Sequence, residues 1–234
     1  MSDALVTRES ESGAREVVVF DYGFGNVRSA VRALQRAGAD VRLSADLSAA
    51  LAADGLVVPG VGAFAACMAG LVDAGGDTVV RERVAGGRPV LGICVGMQVL
   101  FESGSEHGHE TAGLGLLPGR VERLHAARLP HMGWNTVAAA PAGGLFSPDA
   151  DDRFYFVHSY GVRADPGPRV NSSWTRYGGD RFLAAVEAGP LAATQFHPEK
   201  SGDAGAGLLR RWLAGVARVA GDRSSARSVS PSHH

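Results

Sequence analysis

The chain has 234 residues, a formal net charge of −1 and a hydrophobic content of 45%. This describes one compact unit able to bury a substantial core, and near-neutral charge removes attraction to nucleic acid or an anionic membrane as a default. Two cysteines, Cys67 and Cys94, are too few for a disulfide framework, and no Cys/His cluster has zinc spacing, so no metal or cofactor is expected. No apolar run reaches the ~20 residues of a membrane helix, and the opening residues lack the apolar core of a signal peptide. The expected setting is a reducing cytoplasm.

Residues 1–15 read as a flexible leader, residues 16–221 as the folded domain, and residues 222–234 as a disordered Ser-rich tail in which His233 and His234 are inert. Between the ends, strand and helix patterns alternate. Glu16–Asp21 is a short apolar strand, and Asn26–Ala37 has helical spacing with Asn26 as a plausible N-cap. Val41–Leu43 is a strand, Asp46–Ala53 a short helix, Gly55–Pro59 a buried strand and Ala63–Ala74 a helix. Arg88–Ile93 is a strand that runs into Cys94, and a helix is expected from Met97 to Glu102. This order predicts an α/β fold with a mostly parallel sheet and helices on both faces. Shorter strands follow at 114–124, 134–138, 153–159, 181–186 and 191–195, predicting an antiparallel extension. A last helix is expected at 201–216.

Gly92-Ile93-Cys94-Val95-Gly96 joins a buried strand to a helix. Such a turn strains its central residue, and side chains at the flanks would clash, so glycines belong there. It lifts the sulfur above the C-terminal edge of the sheet, with the helix N-terminus favouring thiolate and the Val95 N–H placed as an oxyanion donor. By itself the motif is equally compatible with a buried structural thiol, the reading that suits Cys67 inside Phe64–Leu71.

A thiolate needs a base, and the base needs an orienting group. Pro198 biases His197 toward extended backbone, where residues two apart point the same way, so Glu199 can bind one ring nitrogen and leave the other for Cys94. His107, His109 and His125 lie in polar loops or at a strand end and are expected to be solvated. Pro59-Gly60-Val61-Gly62-Ala63-Phe64 is a second glycine-rich turn. It lacks the Gly-Lys-Ser/Thr of a phosphate loop, and reads as a source of backbone N–H groups facing the same cavity.

These three segments in this order resemble the class I, or triad, glutamine amidotransferases, which have a three-layer, flavodoxin-like architecture. The segments at 21–26 (DYGFGN), 130–135 (PHMGWN), 155–160 (YFVHSY) and 195–201 (QFHPEKS) resemble, more narrowly, the glutaminase subunits of imidazole glycerol phosphate synthases, over about residues 16–216. The resemblance implies that Cys94 attacks the glutamine side chain, with His197 and Glu199 completing the triad. It implies oxyanion donors at Gly60, Val61 and Val95, and glutamine contacts at Gly62, Gln98, Glu106, His158 and Ser159. It implies delivery of ammonia to a (β/α)8-barrel cyclase subunit in a heterodimer, with Asn26, Trp134, Asn135, Tyr155 and Lys200 facing that partner. Three other readings stay open at this point: the same chemistry with another acceptor, a catalytically silent module on the same fold, and a cysteine peptidase.

Overall fold

The computed structural model describes residues 14–147 and 152–228; the leader up to residue 13 and the final residues 229–234, with His233 and His234, lie outside the described residues. The first half alternates strand and helix: β1 (Glu16–Phe20), α1 (Val27–Arg36), β2 (Asp40–Ser44), α2 (Leu47–Ala52), β3 (Gly55–Gly60), α3 (Phe64–Asp73), α4 (Gly76–Ala85), β4 (Val90–Cys94) and α5 (Val95–Gln98). The second half is mostly strands: β5 (Phe101–Glu106), β6 (His109–Ala112), β7 (Leu117–Arg123), β8 (His131–Thr136), β9 (Arg153–His158), β10 (Tyr160–Val162), β11 (Asn171–Tyr177), β12 (Asp180–Ala188) and β13 (Leu191–Thr194), closed by α6 (Gly202–Ser228).

The central seven-stranded sheet has the order β11-β12-β13-β4-β3-β1-β2. Strands β2, β1, β3, β4 and β13 are mutually parallel, and β12 and β11 extend the sheet in antiparallel pairs. This is the α/β arrangement expected, with the 2-1-3-4 order of flavodoxin-like sheets. β1, β3 and β4 are almost wholly buried, as strands covered on both faces must be. α1 packs with α6, while α4 packs with α2 and α3. A four-stranded sheet, β10-β7-β5-β6, and the β8–β9 hairpin stand beside the main sheet.

The structure departs from the expected elements in several places, among them β11, where no strand was expected, and β8, which begins at His131 rather than at 134. The helix after Cys94 is only the four residues of α5, and Phe101–Glu106 is strand, pairing with β6 and β7. Gly104 and its neighbours Ser103 and Ser105 offer little helix propensity, and a Cβ at Gly104 would lie 2.6 Å from the Phe64 ring. The polar segment after it is a hairpin turned at His107 and Gly108, both with positive φ (50° and 81°), the signature of a type I′ turn. Asn26 stands at the N-cap of α1 without a side-chain capping bond, its carbonyl instead accepting from Ser29 and Ala30. α6 continues to Ser228, past the expected end at 216 and into the first seven residues assigned to the tail. Arg and Ala there favour helix, and no proline intervenes before residue 231.

Helix α4, flanked by glycines, gave no sequence signal of its own. It carries Arg83, which is completely buried. The guanidinium donates to the carbonyls of Ala50, Ala53 and Pro89 at 2.9 Å each. Together with Arg88, which donates to the Ala52 and Ala53 carbonyls, it satisfies the carbonyl end of α2.

Candidate active site

Three neighbouring strands end together. Parallel register pairs Gly60 with Cys94, and Thr194 with Ile93. Gly60, Cys94 and Gln195 therefore reach the C-terminal edge of the sheet side by side, where open α/β sheets hold ligands.

Cys94 has φ 57° and ψ −114°, a strained conformation for a non-glycine residue. The glycines around it are dictated by space. A Cβ at Gly96 would lie 1.9 Å from the Val58 carbonyl oxygen, one at Gly92 2.6 Å from the Gly96 carbonyl oxygen, and one at Gly60 2.4 Å from the Gly96 nitrogen. The two glycine-rich turns thus press backbone against backbone beside the Cys94 sulfur. With four residues, α5 carries little macrodipole, so electrostatic support for a thiolate falls mainly to His197.

His197 follows β13 with extended backbone (φ −100°, ψ 96°). Its carboxylate neighbour reaches it differently from the expected extended segment: Pro198–Lys200 form a 3₁₀ turn. The turn places Glu199 Oε1 2.8 Å from His197 Nδ1, with both side chains almost completely buried. Strand β9 pins this turn. The His197 N–H donates to the Tyr155 carbonyl at 2.9 Å, the Ser201 hydroxyl donates to the His197 carbonyl at 2.6 Å, and the Tyr155 N–H donates to Ser201 Oγ at 3.0 Å. Burial alone would lower the His197 pKa, but hydrogen bonds to Cys94 and Glu199, and the charges of both, outweigh it and raise it from 6.5 to about 9. The imidazole is therefore held as imidazolium at neutral pH, between the Cys94 sulfur and the Glu199 carboxylate.

Cys94 and His197 line a cavity of about 220 Å³, together with Gly62, Gln98, Glu106, His158, Ser159, Val61, Val95, Tyr160 and Lys200. The structure thus gathers all five residues named for glutamine contact around the thiol. A larger hollow of about 420 Å³ beside α6, lined by Trp212 and Val216, shares no wall with it and contains none of these groups. Glu106 accepts from the Phe64 N–H at 2.8 Å, which fixes its carboxylate at the mouth of α3. His158 contributes a buried ring that bonds the Tyr160 carbonyl rather than facing open solvent.

Cys67 is buried, and its sulfur lies 3.1 Å from the Tyr22 hydroxyl, which donates to the Pro59 carbonyl at 2.5 Å. Burial pushes the Cys67 thiol up to about 11, against the Tyr22 hydroxyl and the Val61 N–H that hydrogen-bond its sulfur. Reading the sequence did not single out Tyr22, Tyr160, Gln195 or the contact between His131 and His158. All lie inside the segments at 21–26, 130–135, 155–160 and 195–201, but the role of each depends on partners distant in the chain.

The residues expected to face a partner separate into two groups. Trp134 is 52% exposed, meets Tyr155 edge-on at 6.0 Å, and Lys200 Nζ lies 5.9 Å from the Tyr155 ring centroid. These three form one amphipathic surface that reaches the cavity through Lys200. Asn26 begins α1 just after Gly25, whose Cβ position abuts Pro59 at the end of β3, so it shares this edge of the sheet. Asn135 points inward instead, bonding the Arg176 carbonyl and His131.

A cysteine elbow, a buried His–Glu pair and a converging glycine turn on a flavodoxin-like sheet define a triad amidotransferase. Residues 18–215 match the family described as Glutamine amidotransferase class-I, and the chain belongs to that family. It is 61% identical over 202 residues to imidazole glycerol phosphate synthase subunit HisH of Mycolicibacterium paratuberculosis, covering 86% of this chain and 98% of that protein. It is 62% identical over 206 residues to the protein of that name from Nocardia farcinica, covering 85% and 97%. Among solved structures, a glutamine amidotransferase matches with a TM-score of 0.67 at 23% identity, covering 86% of this chain and 98% of that one. At that identity the likeness concerns the fold.

Proposed function

We propose that this chain is the glutaminase subunit of an imidazole glycerol phosphate synthase, acting in the cytoplasm as a heterodimer with a (β/α)8-barrel cyclase subunit. The observation that carries the chemistry is the line from Glu199 through His197 to Cys94 at the wall of one cavity. Family membership and the high identity to HisH proteins support the acceptor over other synthases, and the intact triad argues against a silent module.

Glutamine enters the cavity with its side-chain amide at Cys94. The thiolate attacks the amide carbon, and the carbonyl oxygen becomes an oxyanion. The N–H of Val95, on the residue after the nucleophile, and the Gly60–Val61 backbone receive that charge. The Val61 N–H bonds Cys67 here, so it acts as a donor only after its peptide turns toward the cavity. His197 gives its proton to the departing nitrogen, the C–N bond breaks, and ammonia leaves behind a γ-glutamyl thioester. His197, now neutral, takes a proton from water, which attacks the thioester and releases glutamate and the thiolate. Ammonia passes to the cyclase subunit, which yields imidazole glycerol phosphate and aminoimidazole carboxamide ribonucleotide. Trp134, Tyr155, Lys200 and Asn26 form the docking surface.

Cys94→Ala in the complex tests the reading. Glutamine-dependent synthesis should fall by about 10³-fold or more, while synthesis from added ammonium persists at the wild-type rate. Continued use of glutamine by the variant would remove Cys94 from the mechanism.

A further inference from the structure

Behind the thiol runs a continuous series of hydrogen bonds that the triad does not use. Gln195 Nε2 faces Cys94 Sγ at 3.8 Å. Gln195 Oε1 accepts from Gln98 Nε2 at 2.9 Å, and the same Gln98 amide donates to the Tyr160 carbonyl at 2.9 Å. That carbonyl also meets His158 Nδ1 at 2.8 Å. His158 Nε2 meets His131 Nδ1 at 3.1 Å, and His131 Nε2 meets Asn135 Nδ2 at 3.3 Å.

The donors and acceptors on both arms of this series are fixed, and the two arms meet at the Tyr160 carbonyl, which accepts from Gln98 and from His158. A carbonyl only accepts, so His158 carries its proton on Nδ1 and accepts at Nε2; His131 must then donate from Nδ1 and accept at Nε2. The Asn135 amide is oriented independently, because the Thr136 N–H donates to its Oδ1 and its Nδ2 donates to the Arg176 carbonyl, each at 2.9 Å. Each ring is left with one tautomer. Burial holds both neutral, lowering His131 to about 4 and His158 to about 3. His131 cannot turn over freely, since it is stacked between Phe156 at 4.7 Å and Tyr177 at 4.1 Å.

The far end of the series lies on β8. Side chains alternate there: His131 and Asn135 face inward, while Met132 and Trp134 are 61% and 52% exposed. One strand therefore bears the hydrogen-bond series on its inner face and the exposed apolar surface on its outer face.

We propose that His131 and His158 are positioning residues of the thiol site: His158, held by His131, donates to the Tyr160 carbonyl and so holds in place the acceptor that also fixes Gln98, which aims the Gln195 N–H at Cys94, and the two rings tie that aim to the placement of strand β8. This rests on Cys94 being the glutamine-attacking thiol. Neither histidine touches the reacting atoms; both act through the two glutamines.

The test compares three variants in the complex with the cyclase subunit. His131→Leu removes the donor. His131→Asn loses the same ring but returns an amide N–H near the Nδ1 position. Asn135→Asp is isosteric but cannot donate to His131 Nε2 and would accept from it instead, which sets that end of the series against the direction imposed by the Tyr160 carbonyl. His131→Leu and Asn135→Asp should lower kcat for glutamine about tenfold with KM within twofold, and His131→Asn should recover most of that loss. A packing role predicts equal damage from Leu and Asn at position 131. Equal damage, or wild-type kcat in all variants, overturns the proposal, and Asn135→Asp carries it alone if His131→Leu does not fold. Alkylation of Cys94 by iodoacetamide in the free chain separates the two readings. If the wild-type complex proves to have no glutaminase activity, the series is still supported by alkylation about threefold slower in His131→Leu and Asn135→Asp than in wild type and His131→Asn, and refuted by equal rates.

Discussion

Replacing Glu199 by Gln keeps the volume of the side chain and removes its charge from a contact that is almost wholly buried, 2.8 Å from His197 Nδ1. The elevation of His197 from 6.5 to about 9 corresponds to roughly 3 kcal/mol of preference for the imidazolium, at about 1.4 kcal/mol per pH unit. That preference survives a burial cost of opposite sign, so the combined contribution of Glu199 and Cys94 is larger. If Glu199 supplies about half, its loss removes about 2 kcal/mol. An amide N–H turned toward Nδ1 would in addition favour the wrong tautomer, so kcat should fall about 10²-fold or more. The assay is glutamate release by the complex between pH 6 and 10, with ammonium-dependent synthesis as the control for assembly. In the wild type, the leaving nitrogen needs the imidazolium proton, so kcat should decline as pH rises through about 9. In Glu199→Gln that alkaline limb should move down by at least about one pH unit. A kcat within twofold of wild type, with an unmoved alkaline limb, would show that Glu199 neither charges nor orients His197.

Gly96→Ala places a methyl group 1.9 Å from the Val58 carbonyl oxygen; the chain should lose at least about 3 kcal/mol of stability or fail to fold, seen in the urea midpoint. Arg83→Met takes the buried Arg83 donors away from the carbonyls of Ala50, Ala53 and Pro89 and should cost about 3 kcal/mol, read as a fall in melting temperature with glutamine KM unchanged in whatever protein remains folded. The pKa values of His131 and His158 are depressed, so the unfolded chain binds more protons than the folded one below about pH 6.5. Stability should therefore fall as pH drops from 6.5 toward 4, by up to about 1.4 kcal/mol per unit for each ring. His197, with its raised pKa, adds no loss in that window, because its stabilising contribution is complete below 6.5 and disappears only as pH rises through 9. Urea denaturation at pH 7 and 5 measures the effect, and equal stability at the two values would mean that these rings are not held neutral.

The alternation of strands and helices was legible because a buried parallel strand must be continuously apolar, as in Glu16–Phe20 and Gly55–Gly60, whatever surrounds it. The hairpin at β5–β6 was not, because its strand character comes from pairing with β6 and β7 and from Gly104 lying against Phe64. α4 and its buried Arg83 were silent for the same reason: the partners of Arg83 on α2 are about thirty residues away.

Within the site, the sequence alone determined what is local. The glycines about Cys94 announce a strained turn, since only a missing Cβ allows backbone to approach backbone so closely. His197-Pro198-Glu199 announces a base with its carboxylate, since an offset of two residues keeps them in reach through either an extended segment or the 3₁₀ turn observed. Tertiary structure decided which groups share the cavity. The register of β3, β4 and β13 brought Gly60, Cys94 and Gln195 to one edge, and Gln195 meets Cys94 across 101 residues of chain. It also turned Asn135 inward and joined His131 to His158. Backbone strain and short offsets are written in neighbouring residues, whereas the direction of a buried hydrogen-bond series exists only once distant strands have been packed together.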